Sequence, residues 1–199
     1  SKIVVPGGIE PHAHIGDRAQ PERSGAEPVS LAAVYGGTTT VLDFATQVPG
    51  HDLHHAVEEA GERWRGSAYT DYSYHPIFCK GARPEDIAQV AELVESGFPS
   101  FKVFTTFHNI RVPYGHLMAV FEEVAKGGGI MAVHAEEDDI VTYMEGKLKR
   151  EGNDQGYNLH LVHNNISEDI AFRKILRLAK HTEAGIYFVH TTAKEGVAA

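Results

Sequence analysis

Two histidines one residue apart, His12 and His14, stand in the stretch GGIEPHAHIG. In extended chain, residues i and i+2 project to the same side. Two imidazoles placed in this way can share one metal ion. Three more residues with chemical capacity end or interrupt apolar runs: Lys102 within FKVF, His134 closing IMAVH and His190 closing IYFVH. An ammonium amid Phe101, Val103 and Phe104 is costly unless it is paired or neutral. Burial lowers a lysine's pKa, and the neutral amine is a nucleophile. Such an amine can take up carbon dioxide as a carbamate, an anion whose two oxygens can bridge two cations. The bland alternative is an ion pair with a buried carboxylate such as Asp43.

These residues need elements to position them. Apolar, β-like runs cover 8–14, 38–45, 69–78, 100–104, 130–134 and 184–190. Continuous runs such as TTTVLDFA and IMAVHA suit strands buried on both faces, as in parallel sheets. Helical patterns fall between them, at 28–35, 53–65, 84–96, 114–126, 138–150 and 167–181. Gly36-Gly37, Gly97 and Gly127-Gly128-Gly129 stop three of these. Strand and helix thus alternate six times, which predicts parallel βαβ units with right-handed crossovers. Pro11-His12-Ala13-His14 follows the first strand where a dinucleotide fold would carry a glycine-rich loop, which argues against that fold. In a parallel barrel the C-terminal strand ends converge on one face, where active sites are built. His12, His14, Lys102, His134 and His190 are expected to meet there.

Composition bounds the rest. A chain of 199 residues with 42% hydrophobic and 23% charged content is long enough for a substantial core. The formal charge of -9 argues against nucleic acid or an anionic membrane as the main partner. No apolar run reaches the roughly 18 residues that a membrane span needs, and the N-terminus lacks the order of a signal peptide. Cys79 is the single cysteine, so no internal disulfide forms, which suits a reducing, cytoplasmic setting.

The stretches VVPGGIEPHAHIG, AAVYGGTTTVLDFA, SFKVF, VHAEEDDIV and YFVHTTAKEG, in this order, resemble the amidohydrolase superfamily, specifically its D-hydantoinase/dihydropyrimidinase group. The resemblance runs over nearly the whole chain. It implies an α/β fold, an incomplete (β/α)8 TIM-type barrel with about six βα units, occupying 1–199. The last two strands and the β-sandwich domain of family members are absent; a complete barrel typically needs about 250 residues. It implies two divalent metal ions, zinc first. His12 and His14 look like ligands of one metal, Lys102 like the carbamylated bridge, and His134 and His190 like ligands of the second. The activity implied is attack of a metal-bridging hydroxide on a cyclic amide or ureide, opening hydantoin or dihydropyrimidine to an N-carbamoyl amino acid, with Lys102 and His190 as catalytic residues. The partner implied is a small-molecule cyclic amide, with a homo-oligomer in full-length relatives.

Three departures bear on this. The family's sixth ligand, an aspartate after the eighth strand, is absent. Phe107 stands where hydantoinases carry a tyrosine that stabilises the oxyanion; His108 and Tyr114 are the candidate substitutes. Gly16 occupies a position that is aspartate in hydantoinases and arginine in dihydroorotases, with Arg18 two residues further on. An allantoinase-like or dihydroorotase-like enzyme, a non-catalytic scaffold of the same fold and a single-metal deaminase are the alternatives. His75 is expected to be a satisfied core histidine, and Asp138-Asp139 a solvated helix start. His51, His54 and His55 are expected to face water, and His160 and His163 receive no role.

Overall fold

The computed structural model describes residues 2–16, 25–48, 50–79 and 83–199. Arg18, Lys80 and Gly81 lie outside the described residues. The chain divides into two compact units, Ser1–Ile77 and Phe78–Ala199.

The first unit carries β1 (Gly8–Glu10), α1 (Ala26–Gly36), β2 (Thr38–Thr46), α2 (Leu53–Trp64) and β3 (Asp71–Ile77). Its three strands are parallel and pair in chain order. The strand expected over 8–14 stops at Glu10 because Pro11 has no N–H to give to a ladder. The chain stays beside β2 all the same, since the Ala13 N–H donates to the Leu42 carbonyl at 3.1 Å. α1 ends where Gly37 turns into the left-handed region (φ 89°), a conformation glycine adopts without steric cost. Asp52 caps α2 by accepting from the His55 amide at 2.8 Å. Leu53, Ala56, Ala60 and Trp64 recur at helical spacing and are all buried.

The second unit begins with α3 (Pro84–Ala88) and α4 (Val90–Glu95), then β4 (Ser100–Phe104), α5 (Tyr114–Gly127), β5 (Ile130–His134) and α6 (Asp138–Arg150). A 3-10 turn (Gly156–Asn158) follows, with α7 (Leu159–Val162), α8 (Asn165–Thr182), β6 (Gly185–Phe188) and α9 (Lys194–Val197). β4, β5 and β6 pair in parallel. The single helix expected over 84–96 is two helices broken at Gln89, a break that no glycine or proline announces. α8 starts two residues before Ser167: the cap is Asn164, whose side chain accepts from the Ser167 amide at 3.1 Å. Among the described residues, no helix is long and apolar enough to cross a membrane.

Candidate functional site

In the first unit, His12 and His14 follow the short β1. Their ring centroids lie 5.4 Å apart, edge to face, and the His14 ring stacks on Phe44 at 4.0 Å. Two buried polar residues hold the segment that carries them. Asp43, 1% exposed, accepts through Oδ1 from the Ile15 and Phe44 amides at 2.9 and 2.7 Å, and through Oδ2 from Trp64 Nε1 at 2.8 Å. Burial pushes its carboxyl above the usual range, against these donors and Arg63. The carboxylate weighed as a partner for Lys102 is therefore the anchor of the histidine segment. His75 is the buried core histidine the sequence predicts, with Nε2 2.8 Å from the Pro11 carbonyl. The expected water-facing histidines differ: His51 is exposed and stacks at 4.1 Å on the half-buried His55. Gly16 sits at φ 62°, which disfavours a side chain there.

In the second unit, Lys102 is fully buried on β4, between Phe101 and Val103, with Nζ 4.7 Å from the centre of the Phe104 ring. Desolvation lowers its pKa to about 7, so a large share of the amine is neutral near neutrality. His134 ends β5, and His190 lies two residues past β6 with φ 37°, a left-handed conformation rare outside glycine. Their rings meet edge to face at 4.5 Å. Burial depresses the His190 pKa, and His134 and Lys102 depress it further, which favours the neutral imidazole that a metal needs.

The sequence reading missed the partners of these rings. Glu136 accepts at 2.6 Å from His134 Nε2 and lies 2.8 Å from His163 Nδ1. Its carboxyl is raised by burial, but the two imidazoles outweigh this and hold it at about 2. Glu168 on α8 accepts from the Thr192 and Ala193 amides at 2.9 and 2.8 Å and from the Thr192 hydroxyl at 2.7 Å, fixing the loop after His190. A cleft of about 330 Å³ opens among Phe107, His134, Glu136, His163, His190 and Thr192.

One expectation is corrected. Asp138 is buried rather than solvated, ion-paired to Arg111 at 3.1 Å and bonded to the Thr106 hydroxyl; Asp139 is exposed as expected. Tyr114, named with His108 as a candidate substitute for the family's tyrosine, donates its hydroxyl to Glu137 at 3.3 Å. Phe107 itself is 41% exposed at φ 68°, with its ring 5.0 Å from that of His134.

The chain is 31% identical over 204 residues to a D-hydantoinase of Streptomyces coelicolor, covering 99% of this chain and 43% of that protein. It is 32% identical to a D-hydantoinase of Rhizobium radiobacter, covering 98% and 43%. Among solved structures, a D-hydantoinase superposes with a TM-score of 0.91 at 31% identity, over 97% of this chain and 43% of the other. The chain is homologous to the hydantoinases and dihydropyrimidinases. A rat dihydropyrimidinase, 29% identical over 97% of the chain, agrees. No family model matches the chain. Its fold is the incomplete TIM-type barrel of the hydantoinase structures, and it spans about 43% of the length of the hydantoinases it matches.

Among the described residues, no group of three or more His, Cys, Asp or Glu side chains is placed to hold a metal ion. The donor set that the sequence resemblance implies contains no such group. It distributes imidazoles in pairs and adds a lysine that must first be modified. The residues fit that chemistry: a buried amine with a pKa of about 7 and two adjoining imidazoles in the second unit, and two adjoining imidazoles in the first.

Proposed function

We propose that this chain supplies His12, His14, Lys102, His134 and His190 as ligands of a two-metal centre that opens a cyclic amide or ureide, hydantoin or dihydropyrimidine, to an N-carbamoyl amino acid. The observation that carries the reading is Lys102, fully buried on β4 with Nζ 4.7 Å from the centre of the Phe104 ring and its pKa lowered to about 7. A neutral amine can add to carbon dioxide: the Nζ–C bond forms, one N–H proton leaves to water, and a carbamate anion takes the place of the neutral amine. Two divalent cations, zinc suiting the imidazoles, would supply Lewis-acid activation of water and of the amide carbonyl. The chain's own residues do the rest. His134 and His190 present neighbouring imidazoles beside the cleft. Asp43 and His75 hold the segment carrying His12 and His14 through Ile15 and Pro11.

Phe107 beside His134 favours a second reading of the substrate: another ring of the same class, as in allantoinase-like enzymes, bound without a tyrosine donor at this position. Carbon-13 NMR in labelled bicarbonate tests the shared premise. A carbamate resonance is expected in the native chain and lost in Lys102→Met; its absence from the folded native chain refutes the reading. Ring opening is then followed on dihydrouracil, hydantoin and allantoin, and the preferred ring separates the two substrate readings.

A further inference from the structure

His134 has two ring nitrogens, and the structure commits one of them. Nε2 lies 2.6 Å from Glu136 Oε2, with both side chains only 12% exposed, so any further bond made by the ring must use Nδ1. Glu136 is itself held at several points. Its amide donates to the Thr105 hydroxyl at 2.9 Å, and that hydroxyl lies 2.7 Å from the Glu136 carbonyl. Its other carboxylate oxygen faces His163 Nδ1 at 2.8 Å. His163 comes 27 residues later, directly after α7. One carboxylate thus ties the end of β5 to the segment between α7 and α8.

We propose that Glu136 is a positioning residue: it fixes the tautomer and orientation of His134 so that Nδ1 faces the cleft, and His163 locks the carboxylate in that pose. The inference rests on the metal reading of His134. A ligand imidazole that donates its second N–H to a carboxylate is oriented before the metal arrives and is a better base. Glu136 is itself assigned no ligand role, each of its oxygens facing an imidazole nitrogen. The segment after α7 becomes part of the centre's support although it supplies no ligand.

The test uses nitrogen-15 histidine NMR on the metal-free chain, then zinc titration of the same samples. The native chain is predicted to show a slowly exchanging, downfield proton on His134 Nε2. Glu136→Gln keeps an acceptor and retains the proton; Glu136→Leu loses it. Zinc affinity is expected to fall roughly 10- to 100-fold in Glu136→Leu and less in Glu136→Gln. His163→Leu, at a more exposed position, carries the test if Glu136→Leu does not fold, and is expected to weaken zinc binding while exchange at His134 Nε2 quickens. A proton on Nδ1 in the native chain overturns the inference. So does equal zinc affinity in native and Glu136→Leu chains. A Glu136→Gln loss as deep as that of Glu136→Leu makes Glu136 a direct ligand and overturns the positioning role. A protected Nε2 proton with no zinc uptake by the native chain overturns the metal reading instead, and with it the purpose assigned to Glu136.

Discussion

His134, the last residue of β5, and His190, two residues past the paired strand β6, meet edge to face with 4.5 Å between ring centroids. The strand register brings the two chain segments together, since Val133 pairs with Phe188 and the Val189 amide donates to the Val133 carbonyl at 3.3 Å. The left-handed backbone of His190 departs from the strand at that point, so the second ring is presented by a local turn. A backbone outlier of this kind costs on the order of 1–3 kcal/mol and is retained where the surroundings fix it.

Lys102 makes stability depend on pH in a definite direction. Its folded pKa of about 7 lies below the ordinary 10.5, so between these values the unfolded chain binds more protons than the native one. Stability therefore rises with pH across that window. In bicarbonate-free buffer, Lys102→Met, which keeps the volume and removes the charge, is predicted to stabilise the chain at pH 6 by about 1–4 kcal/mol. It should also flatten the rise between pH 7 and 10. Urea unfolding at a series of pH values reads both effects, and a destabilised Lys102→Met chain at pH 6 would refute the desolvation argument.

Asp43 serves three donors in the first unit, so truncating it leaves buried N–H groups without an acceptor. Asp43→Ala is expected to cost roughly 3 kcal/mol, and Asp43→Asn less, because its carbonyl still accepts. Hydrogen exchange at the Ile15 amide should quicken in Asp43→Ala. Unchanged exchange there would mean that the carboxylate does not hold the His12–His14 segment.

Glu168 does the corresponding work after β6. Glu168→Ala removes the acceptor for two amides and one hydroxyl, and is predicted to cost about 2–3 kcal/mol. Loss of protection should centre on Thr192 and Ala193, with weaker zinc binding through His190. Exchange measurements on these two amides check the first point directly.

Much of this was legible in the sequence, for physical reasons that can be named. β4 and β5 have the predicted bounds because both are continuous apolar runs bounded by turn residues. His12 and His14 stand out by their one-residue spacing, and Lys102, His134 and His190 because each ends or interrupts an apolar run. β1 is shorter than predicted because one missing N–H at Pro11 ends pairing without ending the extended course of the chain. The Glu136–His163 contact was not legible, since 27 residues separate the two and no local pattern points from one to the other. The burial of Asp138 was hidden for the same reason: acidic residues in a helix's first turn usually face water, and only the placement of Arg111 and Thr106 covers this one.

Restoring a hydroxyl at Phe107 probes the departure from the hydantoinase pattern. One oxyanion donor contributes on the order of 10²–10³ in kcat. Phe107→Tyr is therefore predicted to raise ring opening of hydantoins where the chain acts on them, with little change in KM. An unchanged rate for hydantoin beside an active native chain would favour the second substrate reading.

The central claim is tested most directly by metal content per chain, measured together with the intact mass under mild conditions. About two divalent ions per chain, and a mass increased by one carbon dioxide that disappears in Lys102→Met, are the predicted result. A folded chain with no bound metal and an unmodified Lys102 would contradict the two-metal reading, and one ion with an unmodified lysine would point to the single-metal alternative.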